Sequence, residues 1–184
     1  MRHAHWLVTL VALTCFLAPV GAAAQHRDPL NEKEIDEMRE SADWPDKRLE
    51  LMTRFARARM ASIEQLRADA KATKDRPTQI HELLQDFTSL LDEIDDNIDM
   101  YGSHKTDMRK GLKLVIEADS EWQLQLRKLK EQSPPEELKQ YSFVLTNAMD
   151  AAKDTGDSAR KELQDQNELA KNKKLNKIYS ERTE

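Results

Sequence analysis

The chain has 184 residues and a formal net charge of −5, from 29 Lys and Arg against 34 Asp and Glu. That length holds one domain, and its modest negative charge argues weakly against non-specific nucleic-acid binding. A single cysteine, only four glycines and no β-branched run exclude a disulfide scaffold and point away from a sheet, so the expected class is all-α.

The chain opens with MRHAHWLVTLVALTCFLAPVGAAAQ. Arg2 with His3 and His5 makes a short polar start, Trp6 to Val20 is apolar apart from Thr9 and Thr14, and Ala22-Ala23-Ala24 supplies small residues. This is the pattern of a secretory signal peptide cleaved near Ala24–Gln25. The apolar run is short for a membrane anchor, which needs roughly 20 residues. Cys15 does not fit a lipoprotein site, because Phe16-Leu17 continue the apolar run after it. The mature chain then has no cysteine, and its stability must come from packing.

Asn31 with Glu34 three residues later reads as a capping box opening a short helix with Ile35, Met38 and Ala42 on its apolar stripe. Asp43-Trp44-Pro45-Asp46 interrupts it, since Pro45 lacks a donor and restricts the residue before it. Trp44 is expected to pack over the end of the fold. The first long helix is expected from Asp46 to about Thr73, with Leu49, Met52, Phe55, Ala56, Met60, Ile63, Leu66 and Ala70 on one side. Arg48, Arg54, Arg57, Arg59 and Arg67 surround that side; from Asp46 to Arg67 six basic residues stand against three acidic.

Pro77 to Tyr101 carries the strongest pattern: Ile80, Leu83, Leu84, Phe87, Leu90, Leu91, Ile94, Ile98 and Tyr101 recur at spacings of three and four. From Asp86 to Asp99 the same helix holds six acidic residues and no basic one. A short link at Pro77 predicts an antiparallel hairpin that sets the acidic run beside the arginines of the preceding helix, so that the two neutralise each other. Gly102 is expected at a left-handed helix end, with Ser103 capping the next helix, His104 to Gln132. That helix carries Met108, Leu112, Val115, Ile116, Trp122, Leu126 and Leu129, with Gly111 as a site of close helix approach. Asp119 falls on the same seam, where it either pairs with an arginine from the first long helix or specifies helix register. Ser133-Pro134-Pro135-Glu136 starts a last helix through at least Leu169, where Gly156 is expected to bend it. The apolar signal thins after Leu163, and Lys171, Lys173, Lys174 and Lys177 mark a basic tail.

These readings give an up-down-up-down four-helix bundle with a short N-terminal helical segment, preceded by a cleavable signal peptide. The divisions are 1–24 for the signal, 25–170 for the bundle and 171–184 for a frayed basic tail. No reactive constellation stands out. Asp92, Asp95, Asp96 and Asp99 lie on neighbouring rungs and are weak candidates for a divalent cation, although a continuous helix lacks the loop and glycine of a calcium site. There is no Glu-x-x-His for a di-metal bundle, no CxxCH for covalent haem and no histidine on the last helix. No glycine-rich loop or nucleophile elbow is present. The expected function is therefore a non-enzymatic exported protein, periplasmic or extracellular in a bacterium, with no cofactor and with a protein partner in the cell envelope; the alternative is a metal- or haem-binding bundle. Trp44, Arg54, Arg57, Arg59, Lys171, Lys173, Lys174 and Lys177 form the candidate partner surface, and the basic tail is also a candidate for peripheral contact with an anionic membrane. No nucleic-acid partner and no transmembrane span after cleavage are expected.

Overall fold

A computed structural model of the chain describes residues 28–69, 71 and 75–182, with side chains described through Lys174. The expected signal peptide, including Cys15, lies outside the described residues, as does the side chain of Lys177. The described residues form five helices and no strand: α1 (Glu32–Glu40), α2 (Pro45–Ala68), α3 (Arg76–Ser103), α4 (Arg109–Gln132) and α5 (Pro135–Arg182). No helix among them is long and apolar enough to cross a membrane.

Helices α2 to α5 pack into a bundle around one core, and α1 packs on α2 alone. Ion pairs and hydrogen bonds fix the directions. Arg59 meets Asp86 and Arg48 meets Asn97, so α2 and α3 are antiparallel. Arg67 meets Gln132 and Gly111 meets Asp46, so α2 and α4 run the same way. Arg76 pairs with Glu137 and Asp95 meets Thr155, so α3 and α5 also run together. The helices are neighbours in the ring α2–α3–α5–α4. Consecutive α3 and α4 therefore stand on a diagonal, and the short turn between them crosses the end of the bundle. Across that diagonal only side chains meet: Trp122, fully buried on α4, stands edge-on to Phe87 of α3 at 5.5 Å between ring centroids.

The apolar periodicity of each long helix becomes its buried face. Ile80, Leu84, Phe87, Leu90, Leu91, Ile94 and Ile98 are buried on α3, with Leu83 and Tyr101 packed at the margin. Fully burying each such side chain is worth about 1.5–3 kcal/mol. The helix ends depart from expectation for local reasons. Helix α2 stops at Ala68 rather than near Thr73, because Asp69 turns extended and its carboxylate takes the Lys71 N–H at 2.8 Å. Gly102 is not the left-handed residue: α3 runs through Ser103, and Lys105 takes the positive φ of 55°. The lack of a Cβ at Gly102 instead admits the Glu162 carboxylate of α5.

Ser103 caps nothing downstream; its hydroxyl donates to Met100 O at 2.7 Å. Helix α4 begins at Arg109, not His104; Asp107 Oδ1 takes the Arg109 N–H at 3.2 Å, and other helices supply acceptors on either side of it. Gln166 Oε1 takes the Met108 N–H at 3.1 Å and Asp46 Oδ1 takes the Gly111 N–H at 2.7 Å. Gly111 is also a close approach, since a Cβ there would stand 2.9 Å from Leu49 Cβ.

Asp119 is fully buried, as its place on the seam implied. Its partner is not from α2: Arg160 of α5 pairs with it, and Gln123 Nε2 donates to Oδ1 at 2.7 Å. Gly156 does not serve as a bend but as space for this carboxylate, because a Cβ there would lie 2.9 Å from Asp119 Oδ1 and nearer still to Cγ and Oδ2. The backbone of α5 stays helical to Arg182. At 48 residues that helix is about 72 Å long, against about 36 Å for the 24 residues of α4.

Candidate partner-binding groove

The break between α1 and α2 creates the site. Asn31 Oδ1 takes the Glu34 N–H at 3.0 Å and Glu34 Oε2 takes the Asn31 N–H at 3.0 Å, which fixes the start of α1. Ser41 closes it, its hydroxyl donating to Met38 O at 2.9 Å. Trp44 then stands as the N-cap of α2 with no side-chain cap bond, and Pro45 supplies the first helical residue. Because the backbone turns here, the Trp44 ring projects outward rather than over the end of the bundle. It is 68% exposed, which corrects the expectation that it packs over the end of the fold.

Beside that ring lies a groove of about 410 Å³. Its lining is Glu37 and Glu40 of α1, Ser41 and Trp44 of the break, and Lys47, Leu51 and Arg54 of α2. Arg54 spans the groove by pairing with Glu37, and its guanidinium also sits 5.0 Å from the Phe55 ring centroid. A second groove, of about 390 Å³, involves the leader and α1 at Asp28, Pro29, Leu30 and Met38, facing Arg48 and Met52 of α2 and Leu90 and Glu93 of α3.

The arginines of α2 do not act as one patch. Arg54 goes to α1, Arg57 to Glu121 of α4 at 2.9 Å, and Arg59 to Glu34 of α1 at 2.6 Å and to Asp86 of α3 at 3.8 Å. The expected neutralisation across the α2–α3 hairpin therefore holds at Arg59–Asp86, while Arg48 meets the amide of Asn97 at 2.8 Å. The arginines fan out because successive positions of an α-helix face different neighbours, here α1, α3 and α4. Glu34 shows the effect of this focus. Burial pushes its carboxyl up, but hydrogen bonds from Arg59 and the Asn31 N–H, with the charges of Arg59 and Arg54, outweigh burial and leave it below the usual glutamate range.

The acidic run lies elsewhere. Asp92, Asp96 and Asp99 are exposed, while Asp95 turns towards α5 and accepts from Thr155 Oγ1 at 3.2 Å. Burial raises the carboxyls of both Asp92 and Asp95; neighbouring Asp96 adds to the first, whereas Thr155 and Ser158 partly offset the second. Among the described residues no group of three or more His, Cys, Asp or Glu side chains is placed to hold a metal ion. Lys171, Lys173 and Lys174 are exposed on the far part of α5, remote in sequence from the Trp44 groove.

Of the candidate partner residues, the structure gathers Trp44 and Arg54, assigns Arg57 and Arg59 to internal pairs, and leaves the lysines on a separate helix segment. Sequence reasoning missed Glu37, Glu40, Lys47 and Leu51. The signal was present in Glu32, Glu34, Asp36, Glu37 and Glu40, an acidic helix immediately before an arginine-rich one. Comparison with protein-family models, curated proteins and solved structures finds no match.

Proposed function

We propose that the chain is an exported, non-enzymatic helical protein that binds a protein partner in the bacterial cell envelope, with the Trp44 groove as its contact. Residues 1–24 are read as the signal removed on export, and α2 to α5 as an up-down-up-down four-helix scaffold carrying α1. The observation behind this reading is Trp44 itself, a large amphipathic ring left 68% exposed in the lining of a groove although the bundle has an ample core. Tryptophan is enriched among residues that dominate binding energy, most effectively at the centre of a patch with a polar rim. Leu51 together with Glu37, Glu40, Lys47 and Arg54 in the groove lining supplies that mixture.

The experiment is a chemical crosslinking pull-down of the mature protein, tagged at the C-terminus, from its own envelope fraction, in parallel with Trp44→Ala. One dominant adduct that disappears with Trp44→Ala is the expected result. A folded wild-type protein that yields no adduct, or an adduct indifferent to Trp44, would overturn the reading.

A further inference from the structure

Helix α1 is fastened to the bundle in an unusual way. It packs on α2 alone, and its one buried apolar residue is Met38. What holds it is charge. Glu34 pairs with Arg59, Glu37 pairs with Arg54, and Arg59 also donates to Pro29 O in the leader. The Glu34–Arg59 pair is largely excluded from water, with side chains 11% and 12% exposed. Arg59 has Asp86 of α3 within 3.8 Å as well, so departure of Glu34 would not leave it without a carboxylate neighbour. Under α1 the apolar floor of Met52 and Leu90 borders the second groove, and the core of α2 to α5 does not depend on α1 for its other members. A nine-residue helix is also too short to be stable alone in water, so its order comes from this surface.

We propose that α1 is a displaceable strap, and that the surface it covers is a docking groove for an acidic amphipathic helix of a partner protein. The occupant is argued from charge complementarity. Arg54 and Arg59 stand where an incoming helix would place two carboxylates three residues apart, as Glu34 and Glu37 do, and Met52 and Leu90 stand where it would place one large apolar residue, as Met38 does. Displacement would also carry Glu37 and Glu40 away from the Trp44 groove, joining its Leu51 and Arg54 side to the vacated surface. This inference rests on the partner-binding reading, but its test needs no envelope partner, so the two can fail separately.

The test uses the full mature chain and its Glu34→Gln/Glu37→Gln variant, with a fluorescein-labelled peptide of residues 28–43, DPLNEKEIDEMRESAD, as the probe. Amide hydrogen exchange is measured on both proteins. The expected result is faster exchange in α1 of the variant with α2 to α5 still protected, and peptide binding by fluorescence anisotropy about tenfold tighter to the variant than to the wild type, since the tethered strap competes at an effective concentration on the order of mM. Binding should weaken with added salt and vanish for a peptide carrying the same two glutamines. Three results would each overturn the proposal: α1 amides as protected in the variant as in the wild type, protection lost throughout α2 to α5, or a released α1 with no peptide bound to the vacated surface.

Discussion

Replacing Gly156 by alanine should destabilise this protein, although glycine to alanine inside a helix ordinarily stabilises. The ordinary gain is about 1 kcal/mol. Here the new methyl would lie 2.9 Å from Asp119 Oδ1 and closer to the rest of that carboxylate, and Asp119 is fully buried between Arg160 and Gln123. Overpacking of this kind costs about 1–3 kcal/mol. Pushing the carboxylate off its arginine adds part of the roughly 3–5 kcal/mol that follows when a buried pair is broken. Only part is expected, because Arg160 is 44% exposed and can be resolvated. The net expectation is a loss of about 2–4 kcal/mol, or roughly 6–12 °C in Tm for a chain of this size. Urea and thermal unfolding followed by circular dichroism would measure it. The decisive comparison is Gly156→Ala in an Asp119→Ala background, where the clash is gone and the change should be neutral or stabilising by up to about 1 kcal/mol. Stabilisation by Gly156→Ala in the wild-type background would refute the packing argument.

Gly102→Ala provides a contrast, because its new methyl would meet only the end of the flexible Glu162 side chain, so stability should change by no more than about 1 kcal/mol in the same unfolding assay. Asp95→Asn should raise the midpoint slightly, by about 2 °C. Burial holds the folded Asp95 carboxyl above its unfolded pKa, so its ionised form opposes folding at neutral pH, and the gain should shrink as pH falls towards and below 4. Glu34 carries the opposite sign: its lowered folded pKa contributes stability above about pH 4.5 that is lost as pH falls through the folded value, so hydrogen exchange should show α1 opening before α2 to α5 on acidification. Trp44→Ala should leave the unfolding midpoint nearly unchanged, within about 0.5 kcal/mol, because most of the ring already faces water.

The helices were legible in the sequence because burial imposes a period. Ile80 to Ile98 recur at three and four, and all of them but Leu83, which packs at the margin, are buried on α3. What periodicity does not carry is the order of neighbours around the ring. Nothing in the spacing of α3 or α4 says that they stand diagonally, and for the same reason Arg160 could not be picked out as the partner of Asp119. Helix ends set by distant groups were equally hidden. Gln166 caps the start of α4 from 58 positions away, so Ser103, the good local cap, was favoured wrongly. At the candidate site the hinge at Pro45 was readable, but the direction of the Trp44 ring depended on backbone torsions that residue type alone does not dictate. Arg54, Arg57 and Arg59 were grouped in one candidate partner surface because their charge was counted along the chain. A helix distributes such positions around its circumference, and Arg54, Arg57 and Arg59 meet three separate elements, α1, α4 and α3.

The most direct test of the central claim, that the Trp44 groove is a partner contact, is site-specific photo-crosslinking in the native envelope. A benzophenone side chain would replace Lys47 on the groove wall or, as a control, Phe143, an aromatic ring 78% exposed on α5. The account predicts one dominant adduct from position 47, absent from position 143 and abolished by Trp44→Ala. Equal adducts from both positions, or none from position 47 in a folded protein, would contradict it.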